Sequence, residues 1–182
     1  WKAVMIYKLT HPERAGALFA QAQDTMILSC LQNVMGEIYA DDPENPKSAM
    51  AVLGVFCFFA GEVNAELIAY KPDTYTIPFI LMSADTSNLR AAIQAQYGER
   101  AKKVTRYAIK KEAGIFSEQR LQQIVDTLGA EYELNLIDET IFNWSRRQDW
   151  CREWTSLYKD YETYRTTGLG VVVLKDKLPV SG

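Results

Sequence analysis

Apolar positions along this chain change period several times, and each change marks an element. Between Asp24 and Met35, the residues Met26, Ile27, Leu28, Leu31 and Val34 fall on one helical face. Asp24 is placed to cap that helix and Gly36 to close it. Upstream, Ala3 to Leu9 reads as a first strand or a helix start, and the Ala-rich stretch Pro12 to Gln23 reads as helix. Downstream, Glu37 to Ala40 is extended, and Asp42-Pro43-Glu44-Asn45-Pro46 is turn chemistry. Ala49 to Ala60, AMAVLGVFCFFA, is a continuous apolar run that stops at Gly61-Glu62-Val63-Asn64. A run rich in Val and Phe between turn signals reads as one buried strand. Val52, Val55, Cys57 and Phe59, or their alternates, are then expected in the core on both faces of a sheet. Glu66 to Tyr70 reads as the returning strand of a hairpin, and Thr76 to Met82 as a further strand.

In the second half, Leu89, Ile93 and Tyr97 share one face of a helix over Ser87 to Tyr97. Ala101 to Lys111, AKKVTRYAIKK, reads as extended and basic. Ser117 caps a helix that runs through Leu128 and closes at Gly129. Tyr132 to Ile137 is a strand, and Asp138 caps a short helix over Glu139 to Trp144. Trp150, Trp154, Leu157, Tyr158, Tyr161 and Tyr164 then recur at helical spacing, one apolar face of a helix ending before Gly168. Val171 to Leu174 and Leu178 to Ser181 flank the polar residues Lys175, Asp176 and Lys177, which predicts a hairpin with Pro179 on an edge. A two-stranded hairpin is marginal alone. It pairs either with other strands of this chain or with strands outside it, and the second case makes the chain part of a larger protein.

Helices and strands interspersed in this way predict an α/β domain, with α+β as the variant. The chain of 182 residues with a net charge of −3 suits one domain or two small ones, and argues against wholesale nucleic-acid binding. No apolar run reaches membrane-spanning length, and no basic-then-apolar leader opens the sequence. Cys30, Cys57 and Cys151 are widely spaced and odd in number, which reads as reduced, buried thiols of a cytoplasmic protein.

The inventory also limits chemistry. His11 is the single histidine, and it precedes Pro12 in a loop. A two-histidine zinc motif is therefore excluded, and no C-x-x-C pair offers a thiolate metal site. A histidine triad has only His11 to draw on and no G-x-S-x-G elbow to serve, so His11 reads as a loop or cap residue. No base lies near a cysteine in sequence to activate it. Arg100, Lys102, Lys103, Arg106, Lys110 and Lys111 would attract a phosphate or an anionic substrate, but charge on a sheet-edge strand is the plainer reading. The Trp150 to Tyr164 stripe reads as packing rather than as a substrate cleft. Glu62 and Asn64 read as turn residues that could face a cleft.

Four stretches in order carry a resemblance: SCLQNVMG (Ser29 to Gly36), VLGVFCFFAGEVN (Val52 to Asn64), AKKVTRYAIKK (Ala101 to Lys111) and GLGVVVLKDKLPVSG (Gly168 to Gly182). Together they resemble the zwittermicin-resistance-like branch of the GNAT N-acetyltransferase superfamily, over most of the chain from the second helix onward. The resemblance implies a mixed, mostly antiparallel central sheet flanked by helices. It also implies acetyl transfer from acetyl-CoA to an amine of a small molecule, and no metal. Family members carry a further strand, an Arg/Gln-x-x-Gly-x-Gly/Ala loop and a helix, whose N-terminal N–H groups hold the pyrophosphate. That loop is not found here. Gly168-Leu169-Gly170 leads into a strand, so it reads as helix stop and strand entry.

The expected organisation is therefore residues 1–167 as an N-terminal GNAT-like α/β domain and residues 168–182 as a hairpin that begins a catalytic domain. The expected partners are that C-terminal catalytic domain of the same protein and a small-molecule amine acceptor, with no nucleic acid and no membrane. No cofactor is expected on this part by itself, and no catalytic or cofactor-binding residue is singled out. The alternative function is a non-catalytic module that binds a small molecule or a protein.

Overall fold

The apolar run from Ala49 to Ala60 is not one strand. In the computed structural model, which describes residues 5–73, 75–107, 109 and 112–182, it folds back on itself. Gly54 takes a φ of +56°, the conformation glycine supplies at the first position of a two-residue type II′ turn. Leu53 then lies opposite Phe56, and the ladder runs back to Ser48 opposite Gly61. The continuous apolar character arises because both arms are central and buried on both faces, not because the strand is long.

Two compact units divide the chain, residues 1–102 with 157–159 and residues 103–156 with 160–182. The first unit opens with β1 (Tyr7–Lys8), a 3-10 turn at Pro12–Ala15 and helix α1 (Thr25–Leu31). Then come β2 (Glu37–Ala40), β3 (Ser48–Leu53), β4 (Phe56–Gly61), α2 (Ala65–Ala69), β5 (Leu81–Ala84) and α3 (Ser87–Tyr97). Its sheet has the order β1-β2-β3-β4-β5. All pairs are antiparallel except β4 with β5, which are parallel. Alternation along the hairpin feeds two cores. Ala49, Ala51, Leu53, Phe58 and Ala60 pack with Ile27 and Cys30 of α1 and with Phe19 on one face. Met50, Val52, Cys57 and Phe59 pack with Leu67 and Ile68 of α2 and Leu89 of α3 on the other.

The second unit contains α4 (Glu118–Val125), β6 (Tyr132–Leu136), α5 (Glu139–Ser145), α6 (Tyr161–Thr167), β7 (Val171–Lys175) and β8 (Leu178–Ser181). Its sheet is β6-β7-β8, antiparallel throughout. The terminal hairpin thus has a partner within the chain, strand β6. Asp176 and Lys177 turn it with φ values of +50° and +65°, the two left-handed residues of a type I′ loop.

The mixed, mostly antiparallel sheet flanked by helices is as the resemblance implies, and Asp24, Ser117 and Asp138 each cap a helix as expected, while Thr86 caps α3. Other readings need correction. Pro12 to Gln23 forms only the short 3-10 turn at Pro12–Ala15 followed by turns. Glu66 to Tyr70 is not a strand but helix α2, because the Asn64 carboxamide oxygen accepts the Leu67 N–H at 3.0 Å and starts a turn there. The strand expected over Thr76 to Met82 begins only at Leu81. The single aromatic helix over Trp150 to Tyr164 is broken: a 3-10 turn covers Arg152–Trp154, and Asp160 caps a new helix, α6. Trp144, Trp150 and Trp154 instead form edge-to-face contacts at 6.2 and 5.1 Å, and Phe142 meets Tyr161 and Tyr164 at 5.6 and 5.3 Å. Residues 101–107 form no strand, so the edge-strand reading fails for them, while Ala108, Lys110 and Lys111 lie outside the described residues.

Two expectations follow for stability. Phe58→Ala should lower the unfolding free energy by about 3–5 kcal/mol in urea titrations, since Phe58 is buried against α1's side of the sheet. Asn64→Ala should cost about 1 kcal/mol by removing the α2 cap, and Asn64→Asp should restore most of it. A neutral Phe58→Ala variant would place that ring outside the core.

Candidate functional site

A parallel pair inside an otherwise antiparallel sheet creates a place where two strands end side by side. The β4–β5 register runs from Phe56 opposite Leu81 to Phe59 opposite Ala84. There β5 stops and turns through Asp85 and Thr86 into α3, while β4 continues through Ala60 and Gly61. At these carboxyl ends lies a notch of about 190 Å³, with Phe19, Ile27, Phe58 and Ala60 as apolar floor and Asp24 and Asp85 among its polar lining. Ligands of open α/β sheets bind at such carboxyl ends. Among the described residues no lysine or arginine lines the notch. Arg90 instead donates to the carbonyls of Ala84 and Asp85 at 2.8 and 3.0 Å, which pins the end of β5. The Asp24 carboxylate accepts the Met26 N–H at 3.0 Å as the α1 cap.

The turn after β4 leads into the N-terminus of α2, and its packing and charge do not suit an anion. Gly61 has a φ of +89°, and a Cβ there would lie 2.1 Å from the Lys47 carbonyl oxygen. The turn is therefore pressed onto the neighbouring strand. The Glu62 N–H donates to Lys47 O at 2.8 Å, the Ser48 hydroxyl donates to Glu62 O at 2.9 Å, and Asn64 holds the Leu67 N–H. Two of the turn's donors are thus committed, the Glu62 N–H to β3's side and the Leu67 N–H to the cap. Glu62 and Glu66 add negative charge at the start of α2, where an anion would sit. The β5–α3 turn, Asp85-Thr86, contains no glycine, and Thr86 takes the Leu89 N–H at 3.2 Å. Gly168 and Gly170 follow the C-terminus of α6, the wrong pole for an anion. Both serve packing: a Cβ on Gly168 would lie 2.5 Å from the Tyr164 ring, and one on Gly170 2.7 Å from Ile137.

The remaining candidates take structural places. His11 is exposed, with Nδ1 3.2 Å from the Glu13 carboxylate. Cys30, Cys57 and Cys151 are buried and free. Burial pushes the Cys30 thiol up to about 11 and raises Cys57 and Cys151 as well, so none is a thiolate at neutral pH. Arg100 lies over the Tyr97 ring at 5.5 Å, and Lys102, Lys103 and Arg106 sit in the irregular segment after it. Glu62 and Asn64 form the turn and the cap just described. No group of three or more His, Cys, Asp or Glu among the described residues is arranged to hold a metal ion, and no helix among them is long and apolar enough to cross a membrane.

The notch itself was missed by sequence reasoning, because it depends on β5 running parallel to β4, and that depends on α2 being a helix. The available signal was Asn64, three residues before Leu67, at the end of an apolar run.

Comparison with known proteins now bears on this arrangement. No curated protein matches the sequence. Among solved structures, the chain is similar to a GCN5-related N-acetyltransferase-like protein from Streptococcus suis, with 31% identity and a TM-score of 0.74. The match covers 93% of this chain and 68% of that one. The sequence model of the GNAT acetyltransferase family matches residues 16–182. With nearly the whole chain matched in sequence and fold, the protein belongs to the GNAT acetyltransferase family.

Proposed function

We propose that this chain is the N-terminal part of a two-part acetyltransferase of the zwittermicin-resistance-like branch. Its role is to form one wall of the acceptor site and to set which small-molecule amine is acetylated. The family supports acetyl transfer from acetyl-CoA as the reaction of the whole protein. The observation that carries the proposal is the turn after β4. There the Lys47 carbonyl takes the Glu62 N–H, the Asn64 carboxamide takes the Leu67 N–H, and Glu62 and Glu66 bring negative charge to the start of α2.

Acetyl transfer needs a bound thioester, a deprotonated amine and donors for the developing oxyanion. On this reading the thioester and the donors come from the following catalytic domain. The first unit contributes shape: a five-stranded sheet whose notch offers an aromatic floor and the acidic residues Asp24 and Asp85, with the Arg90 guanidinium held by the Ala84 and Asp85 carbonyls. Such a lining favours an acceptor's ammonium group and disfavours the cofactor's phosphates.

Calorimetry of this chain with acetyl-CoA tests the proposal. It should show no saturable binding at low micromolar cofactor, where an intact site would release about −8 kcal/mol. Saturable binding at that concentration would place a cofactor site within this chain and end the two-part account.

A further inference from the structure

The first unit holds a second cavity, of about 310 Å³, at the tip of the β3–β4 hairpin, away from the notch. The cavity and the notch share no lining residue. Its walls are Gly36 and Glu37 at the start of β2, Val52 to Gly54 at the hairpin tip, Tyr75 to Ile77 on the way to β5, and Leu157, all of the first unit. A volume of this size is at the low end for a small-molecule site. Glu37 lies opposite Val52, and Tyr39, two residues along β2, packs with Val52 in the α2–α3 core. The Glu37 side chain therefore stands on that same face of the sheet.

Two donors from within the fold hold this carboxylate. The Lys8 ammonium donates to Oε1 and the Tyr39 phenol donates to Oε2. Burial opposes the charge on Glu37, but the hydrogen bonds from Lys8 and Tyr39 outweigh it and hold the carboxyl below its usual range. Each oxygen has accepted one of these bonds and keeps a second lone-pair site. The local charge is balanced, because Lys8 stands against Glu37. A free cation would have to displace Lys8, and an anion would meet Glu37. What the cavity offers is acceptor capacity without net charge, which suits hydroxyl donors. Tyr75 adds a complementary apolar surface. Its phenol donates to Phe79 O at 3.0 Å and its N–H to Pro72 O at 2.9 Å, so the half-buried side chain is fixed against the core. Lys71 Nζ lies 5.9 Å from the ring centroid, but Lys71 does not line the cavity, whereas Tyr75 does.

We infer that this cavity binds a neutral, polyhydroxylated molecule the size of a single sugar ring. Its hydroxyls donate to the Glu37 carboxylate, and its C–H face lies against the Tyr75 ring. Lys8 and Tyr39 are positioning residues: they fix the carboxylate before a ligand arrives, so that little ordering is left to binding. The site is separate from the notch, and it stands whether or not the notch admits an amine.

Amide-resolved NMR titration of this chain with D-glucose, D-ribose, myo-inositol and D-sorbitol tests the inference. At least one of these should move the Gly36, Gly54 and Thr76 amide signals saturably below about 50 mM, well above the Kd of a millimolar complex. The Ser83 and Asp85 amides, at the notch, should stay in place. n-Butylammonium chloride and sodium phosphate should leave all five signals unmoved. Glu37→Gln should weaken the polyol's binding about tenfold or more, because a charge-assisted acceptor is lost. Tyr75→Leu should weaken it as well, and the thermal midpoint of each variant shows that it is folded. No saturable shift from any of the four polyols would overturn the inference. So would saturation by butylammonium or phosphate in their place, or unchanged polyol affinity in a folded Glu37→Gln or Tyr75→Leu variant.

Discussion

Burial of both faces of the β3–β4 hairpin is the constraint on which the first unit depends. Each fully buried Val, Leu, Phe or Met contributes about 1.5–3 kcal/mol, and this hairpin supplies such residues alternately to two cores. The face toward α1 is built from Ala49, Ala51 and Ala60 with Leu53 and Phe58, so the helix can lie close. The closeness is visible at Gly36, where a Cβ would meet Val52 O at 2.5 Å and Cys30 Sγ at 2.6 Å. The face toward α2 and α3 uses larger residues, Met50, Val52, Cys57 and Phe59. Once both faces are covered, the only way on from β4 is through Gly61 and the Asn64 cap, and that path sends β5 back parallel to β4. The notch is a consequence of this route.

The same route explains why the turn after β4 is tight. A turn pressed so tightly against Lys47 that only glycine fits has its first N–H committed to the sheet. Capping of the Leu67 N–H by Asn64 stabilises α2 and commits a second donor. The first unit thus keeps a notch at the carboxyl ends of β4 and β5 beside a tightly packed, acidic turn. The second unit, with its three-stranded sheet and exposed apolar face, has the opposite character: its buried side is finished and its other side is open.

Much of this was legible in the sequence where signals were local. Ser87 to Tyr97, with Leu89, Ile93 and Tyr97 on one face and a Thr before it, is the helix that the spacing describes. The terminal hairpin was legible because the polar residues Asp176 and Lys177 interrupt two β-rich runs. The β3–β4 turn was not, since Gly54 sits within apolar residues and carries no polar marker. The aromatic stripe from Trp150 to Tyr164 fits a helix at nearly every position, yet Asp160 restarts the backbone as a capped helix within it. Side-chain periodicity does not register a cap that lies on the polar face. Sheet direction was equally hidden, because β5 differs from an antiparallel return only through the five-residue helix before it. Candidate sites fared in the same way. The caps Asp24, Ser117 and Asp138 were readable, while the Asn64 and Asp160 caps were not, and the notch needed three elements brought together.

Enzymatic acetyl transfer is the most direct probe of the account. Incubating this chain with acetyl-CoA and a panel of small primary amines, and following release of the CoA thiol, measures it without reference to binding. The account predicts release at the rate of the protein-free control for every amine, because it assigns the cofactor-binding turn and the oxyanion donors to the catalytic domain proposed above. Amine-dependent thiol release above that control would show a complete active site within these residues and contradict it.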